Sequence, residues 1–79
     1  MNHKLIEIFT NTFPTANFDI EDFESLELNS VPEWDSLGNL NFLMNIEAEF
    51  NIRLSSEELS ETKSIKQILT IINRTQGDK

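Results

Sequence analysis

Two glycines and two prolines are all that punctuate these 79 residues, and that scarcity constrains the fold more than any other feature of the chain. Turn-rich β folds depend on such residues, so their absence favours helices. The apolar residues fall at helical spacings. Leu5, Phe9 and Phe13 recur at i, i+4 and i+8 with Ile6 beside them, which predicts a helix over residues 2–13 ended by Pro14. Leu37, Leu40, Leu43, Ile46 and Phe50 repeat at spacings of three and four. They predict a second helix over 36–50, with Asp35 as its N-cap and with Phe42 and Met44 widening a core-facing stripe. Asn51 suits the left-handed residue that closes a helix.

A short helix is expected next, capped by Ser55 or Ser56, with Glu57 and Glu58 in its first turn complementing the helix dipole. The last helix opens at Thr62 or Ser64 and carries Ile65, Ile68, Leu69 and Ile72 on one face, with Lys66 and Arg74 on the other. Residues 75–79 should fray. Between the first two strong helices, residues 14–34 hold neither a period of 2 nor one of 3.6, although 20–26 can form a short helical turn. Phe18, Ile20, Phe23, Leu26, Leu28, Val31 and Trp34 read as anchors for an ordered, acidic connector laid across the core. The expected architecture is all-α: one domain over 1–79, a small antiparallel four-helix bundle with three main helices, one short helix and a long first connector.

Composition removes several function classes. Six basic against 14 acidic residues give a formal charge of −8, which opposes nucleic acids and anionic membrane surfaces and favours partners with basic patches. The chain has no Cys, so disulfides, Cys-ligated metals and a thiol nucleophile of its own are excluded. A catalytic triad would have to draw its base from the single His, His3, which is expected to be exposed and without a role. A calcium loop started at Asp19 meets Glu24 where glycine is required, and one started at Asp35 meets Leu37 at its third position, so no metal site is expected. No apolar run approaches the roughly 20 residues needed to span a bilayer. Met-Asn-His-Lys followed by an interrupted apolar pattern is unlike a secretory signal, and the expected location is cytoplasmic. A chain this short has little core to spare for a deep catalytic cleft, which favours a carrier or binding module over an enzyme.

The informative stretch is Trp34-Asp35-Ser36-Leu37-Gly38. A Ser in the first turn of a helix sits where unpaired backbone N–H groups point outward and the dipole favours a phosphate. Between Asp19 and Glu58 there are eleven acidic residues against one basic residue, Arg53. A hydroxyl in that surround, with no base beside it, is a poor nucleophile in its own right but a reasonable acceptor for another enzyme. Locally, Asp35 and Ser36 also fit a plain helix cap and its first residue. Trp34 is expected to be a core anchor that pins the end of the connector.

Asp35-Ser36-Leu37 at the head of an amphipathic helix resembles the Asp-Ser-Leu signature of acyl carrier proteins. The order around it is similar too: a helix ended by Phe13, a long acidic connector, and a Ser-headed helix closing in Glu47-Ala48-Glu49-Phe50. Ile52 and Leu54, a Ser/Glu-rich short helix and a closing Ile-rich helix follow, so the resemblance runs from Leu5 to Ile72 without insertion. It implies that Ser36 receives 4′-phosphopantetheine from coenzyme A through a Mg²⁺-requiring phosphopantetheinyl transferase. The thiol of that arm would hold acyl groups as thioesters, and the chain itself would catalyse nothing. Asp35 and Leu37 become contact residues for the transferase. Glu47 and Glu49 match acidic positions that meet the basic patches of acyl-loading and acyl-transfer enzymes. The carrier is expected to be a monomer.

The chain departs from that family where carriers of fatty-acid synthesis line this helix with carboxylates. Here the stretch is Gly38, Asn39, Asn41 and Asn45, all neutral. Gly38 is expected to cost about 0.5–1 kcal/mol against Ala and to loosen the attachment end. Trp34 stands where a small residue is usual. Together these imply a specialised, free-standing carrier. The rival readings are an aminoacyl or peptidyl carrier of the same fold, towards which the neutral face leans, and an unmodified helical interaction module in which Ser36 belongs only to a cap. The net charge and Asp35 lean towards acyl cargo.

Overall fold

The computed structural model describes residues 3–76, which form α1 (His3–Thr12), a 3₁₀ helix (Ile20–Ser25), α2 (Ser36–Phe50), α3 (Ser56–Glu61) and α4 (Ile65–Gln76). The all-α expectation holds. Helix α1 stops one residue short of the expected end, yet the Phe13 N–H still donates to Phe9 O at 2.8 Å and the Phe13 ring is buried. Asn2 lies outside the described residues.

Phe9 is the centre of the core. The rings of Phe13, Phe18, Phe23, Trp34 and Phe42 surround it at centroid separations of 5.0–5.5 Å, all edge-on. That geometry sets positive ring edges against negative ring faces, and each such pair adds about 0.5–1.5 kcal/mol beyond the area it buries. Helix α2 brings Phe42, Leu43 and Ile46 to this cluster, and α4 brings Ile65, Ile68, Ile71 and Ile72. Ile71 was not among the expected core residues, whereas Leu69 was and is only half-buried.

The connector is ordered, for a nonlocal reason. Its end pairs with the link between α3 and α4: Leu28 N–H donates to Lys63 O at 2.7 Å, Ile65 N–H donates to Leu26 O at 3.0 Å, and Glu27 and Ser64 form an isolated antiparallel bridge. Phe23, Val31 and Trp34 are buried, and Phe18, Leu26 and Leu28 are half-buried. Ile20 is a correction, being 54% exposed. The short 3₁₀ helix lies on the surface and sends only Phe23 inward.

A larger correction concerns α2. Leu37, Leu40 and Met44 do not face the core; they are 78%, 43% and 54% exposed, and Phe50 is only half-buried. Steps of three residues at about 100° each fall about 60° short of a full turn. Leu37, Leu40, Leu43 and Ile46 therefore sweep around half the helix. Only the last two, with Phe42 and Asn39, lie on the buried arc.

Between α2 and α4 the chain is held by local caps. Asn51 adopts the left-handed conformation (φ 56°, ψ 49°) that was expected of it. Ser55, the first of the two candidates, caps α3: its hydroxyl accepts from Glu58 N–H at 3.1 Å, and Glu58 Oε1 accepts from Ser55 N–H at 2.9 Å. Ser64 plays the cap role for α4 by accepting from Gln67 N–H at 3.1 Å. Thr75 does not fray: it lies within α4, and its hydroxyl donates to Ile71 O at 3.0 Å. Residues 77–79 of the expected frayed tail lie outside the described residues. No described helix is long and apolar enough to cross a membrane.

The reciprocal cap of α3 makes stability depend on acid. The Ser55 backbone N–H, and after it the Arg74 guanidinium 2.7 Å away, hold the Glu58 carboxyl below the usual carboxylate range. A carboxylate depressed in the folded state contributes stability above its unfolded pKa of about 4.3 and loses it as pH falls through the lower folded value. Glu58→Gln keeps an acceptor for the cap and removes the titration. Melting temperature is therefore expected to fall less steeply for Glu58→Gln than for the unaltered chain between about pH 4.5 and pH 3. Parallel acid limbs would show that Glu58 takes no part in it.

Candidate functional site

Helix α2 begins where the connector is most tightly held. A turn over residues 27–34 closes through Ser30 N–H to Glu27 O (2.8 Å), Asn29 N–H to Trp34 O (2.8 Å) and Trp34 N–H to Val31 O (3.1 Å), with Asn29 at φ 72°. Val31 and Trp34 are its buried pegs, and Trp34 is the core anchor expected. Asp35 is extended and its Oδ1 accepts from Gly38 N–H at 2.8 Å, so it is the N-cap. Ser36 is the first helical residue and is exposed. Capping falls to Asp35, which leaves the Ser36 hydroxyl on the surface beside the free N–H end of the helix.

Gly38 has a reason that the sequence did not disclose. A Cβ there would collide with the Glu33 carbonyl oxygen and lie 3.0 Å from the Phe13 ring and 3.2 Å from Asp35 Oδ1. The expected loosening by Gly38 is thus corrected. This glycine lets the connector's end press against the first turn of α2, and so makes the attachment end tighter.

Asn39 is also corrected, from an exposed neutral residue to a buried one. Its Oδ1 accepts from Trp34 Nε1 at 2.9 Å, and its Nδ2 donates to Thr62 O at 3.0 Å. One side chain thereby ties the Ser36 turn to the connector and to the end of α3. Asn45 is exposed, and its Nδ2 donates to Thr12 Oγ1 of α1 at 2.8 Å. Asn41 is exposed. The neutral stretch is therefore not one uniform docking face.

The structure brings Asp35, Ser36 and Leu37 together at the head of α2 and sets Glu47 and Glu49 at its far end. Both glutamates have internal work. Glu47 is half-buried and its Oε2 accepts from Leu54 N–H at 2.7 Å, fastening the turn after α2. Glu49 pairs with Lys4 of α1 at 2.8 Å, and that carboxylate holds the Lys4 ammonium above its usual pKa. A cleft of about 250 Å³ between α3 and α4 is lined by Glu58, Thr62, Gln67, Ile71 and Arg74, and one of about 260 Å³ between α1 and α2 by Ile8, Asn11, Asn45 and Ala48. Neither includes Ser36. His3, the first residue of α1, is exposed, and no group of three or more metal-ligating side chains forms among the described residues.

Comparison of the chain with family models, with curated proteins and with solved structures gives no match.

Proposed function

We propose that the chain is an acyl carrier protein in which Ser36 is the attachment point of 4′-phosphopantetheine, and that its helices act as a four-helix antiparallel bundle presenting that residue. The observation that carries this reading is the exposed Ser36 hydroxyl at the first residue of α2, with the cap made by its neighbour Asp35. The order of elements adds support, since a long connector precedes α2 and a short helix and an Ile-rich helix follow it. The residues fit the group: a surface hydroxyl is free to form a phosphodiester, and the helix N-terminus favours its charge. The arm would supply a thiol, and so thioester chemistry, to a chain that has no Cys.

Each residue then has a part to play. Ser36 presents its oxygen to the pyrophosphate of coenzyme A in the transferase. Asp35 holds the first turn still with one carboxylate oxygen while its side chain remains exposed to the incoming enzyme. Leu37 offers an apolar contact beside the reacting oxygen. Glu47 and Glu49 serve docking of acyl-loading and acyl-transfer enzymes only as far as their internal bonds to Leu54 and Lys4 allow. The carrier works as a soluble cytoplasmic monomer and is itself a substrate of the transferase.

A second reading is an unmodified helical interaction module, favoured by the Asp35–Gly38 bond, which alone accounts for Asp before Ser. Incubation with coenzyme A, Mg²⁺ and a broad-specificity phosphopantetheinyl transferase separates the two. The carrier reading expects the intact mass to rise by one phosphopantetheine. An unchanged mass would leave the module.

A further inference from the structure

Among the described residues four large apolar side chains are exposed, and three of them, Leu37, Leu40 and Met44, lie on α2. At 100° per residue they fall within about 60° of one another and span about 10 Å of helix. Exposed Ala48 continues the line. The strip starts at the residue after Ser36 and carries no ionisable group: none occurs between Asp35 and Glu47. The two carboxylates further along are engaged by Leu54 N–H and by Lys4. A chain of net charge −8 thus keeps charge off the outward face of the helix that bears its exposed serine.

Resting on the carrier reading, we infer that the enzyme reaching Ser36 docks on this strip through a patch that is apolar at its centre, with a basic group only at the end that meets Asp35. Charge and size select this occupant. A second copy would bring −8 against −8 and would gain far less than the roughly 800 Å² per partner of a stable interface. An anionic lipid surface is repelled by the same charge. A transient enzyme contact needs only a small apolar centre that excludes water. Electrostatic steering through α2 is correspondingly weak, and docking here differs from recognition of an acidic helix by a basic patch.

The test is transferase kinetics on the full chain, read by mass gain, in the double variant Leu40→Gln/Met44→Gln, with Leu40→Met/Met44→Leu as the apolar rescue and Lys66→Gln on α4 as the control. The substituted side chains are exposed, and far-UV CD checks that each variant is folded. The double Gln variant is expected to raise KM at least tenfold, and the rescue and control to stay within about threefold of the unaltered chain. The unaltered chain's kcat/KM should change less than about threefold between about 0.05 M and 0.5 M NaCl. A smaller loss in the double Gln variant, or a steeper salt dependence, overturns the inference while leaving the carrier reading standing. No mass gain in the unaltered chain sinks that reading and this inference with it.

Discussion

Asn39→Ala is expected to cost about 2–5 kcal/mol of folding stability. The substitution strands two buried partners at once, the Trp34 indole N–H and the Thr62 carbonyl, which Asn39 now serves at 2.9 and 3.0 Å. Each buried polar group left without a partner costs about 1–3 kcal/mol. For a domain of this size the whole stability is of the order of 4–12 kcal/mol. A loss of that size lowers the melting temperature by more than about 10 °C. Exposed Asn41, two residues along the same helix, is the control, and its replacement by Ala should be neutral or slightly stabilising. Equal melting temperatures for the two variants would mean that the buried network carries no weight.

The second large effect runs against propensity. In an ordinary helix Gly→Ala stabilises by about 1 kcal/mol. At Gly38 the added carbon meets the Glu33 carbonyl, a backbone atom that cannot turn away as a flexible side chain would. Overpacking of this kind costs about 1–3 kcal/mol, so the net change should be destabilising by up to about 2 kcal/mol. The shift is local to the Ser36 turn. Gly38→Ala should therefore lower the melting temperature and also slow modification of Ser36. A more stable Gly38→Ala variant would show that the connector does not press on α2 as described.

What was legible in the sequence was local chemistry. Asp35, Asn51 and Ser55 cap helices through atoms within a few residues of themselves, and the bounds of α2 and the start of α3 follow from them. The apolar periods of α1 and α4 were legible for the same reason. Pairings across the chain were not. Nothing near Asn39 announces that Thr62, 23 residues away, will accept its amide, and nothing in 26–28 announces the link at 63–65. Leu37 and Leu40 illustrate a different failure. Spacing by threes mimics a stripe, but the helix turns too far between residues to keep it on one side. The exposed strip became visible only once Phe42 and Ile46 had fixed which arc is buried. Glu47 and Glu49 were legible as exposed-helix carboxylates, whereas their bonds to Leu54 and Lys4 depended on where the neighbouring segments pack.

The central claim, that Ser36 is the residue another enzyme loads, is tested most directly by site-resolved mass spectrometry. The unaltered chain and Ser36→Ala are treated side by side with coenzyme A, Mg²⁺ and a phosphopantetheinyl transferase. Ser36 is exposed and leaves the capping to Asp35, so its replacement by Ala should leave the helical CD spectrum intact. The account predicts one phosphopantetheine on the unaltered chain, mapped to the peptide holding Ser36, and none on the variant. Labelling of Ser36→Ala, or a group mapped to any other serine, would contradict it.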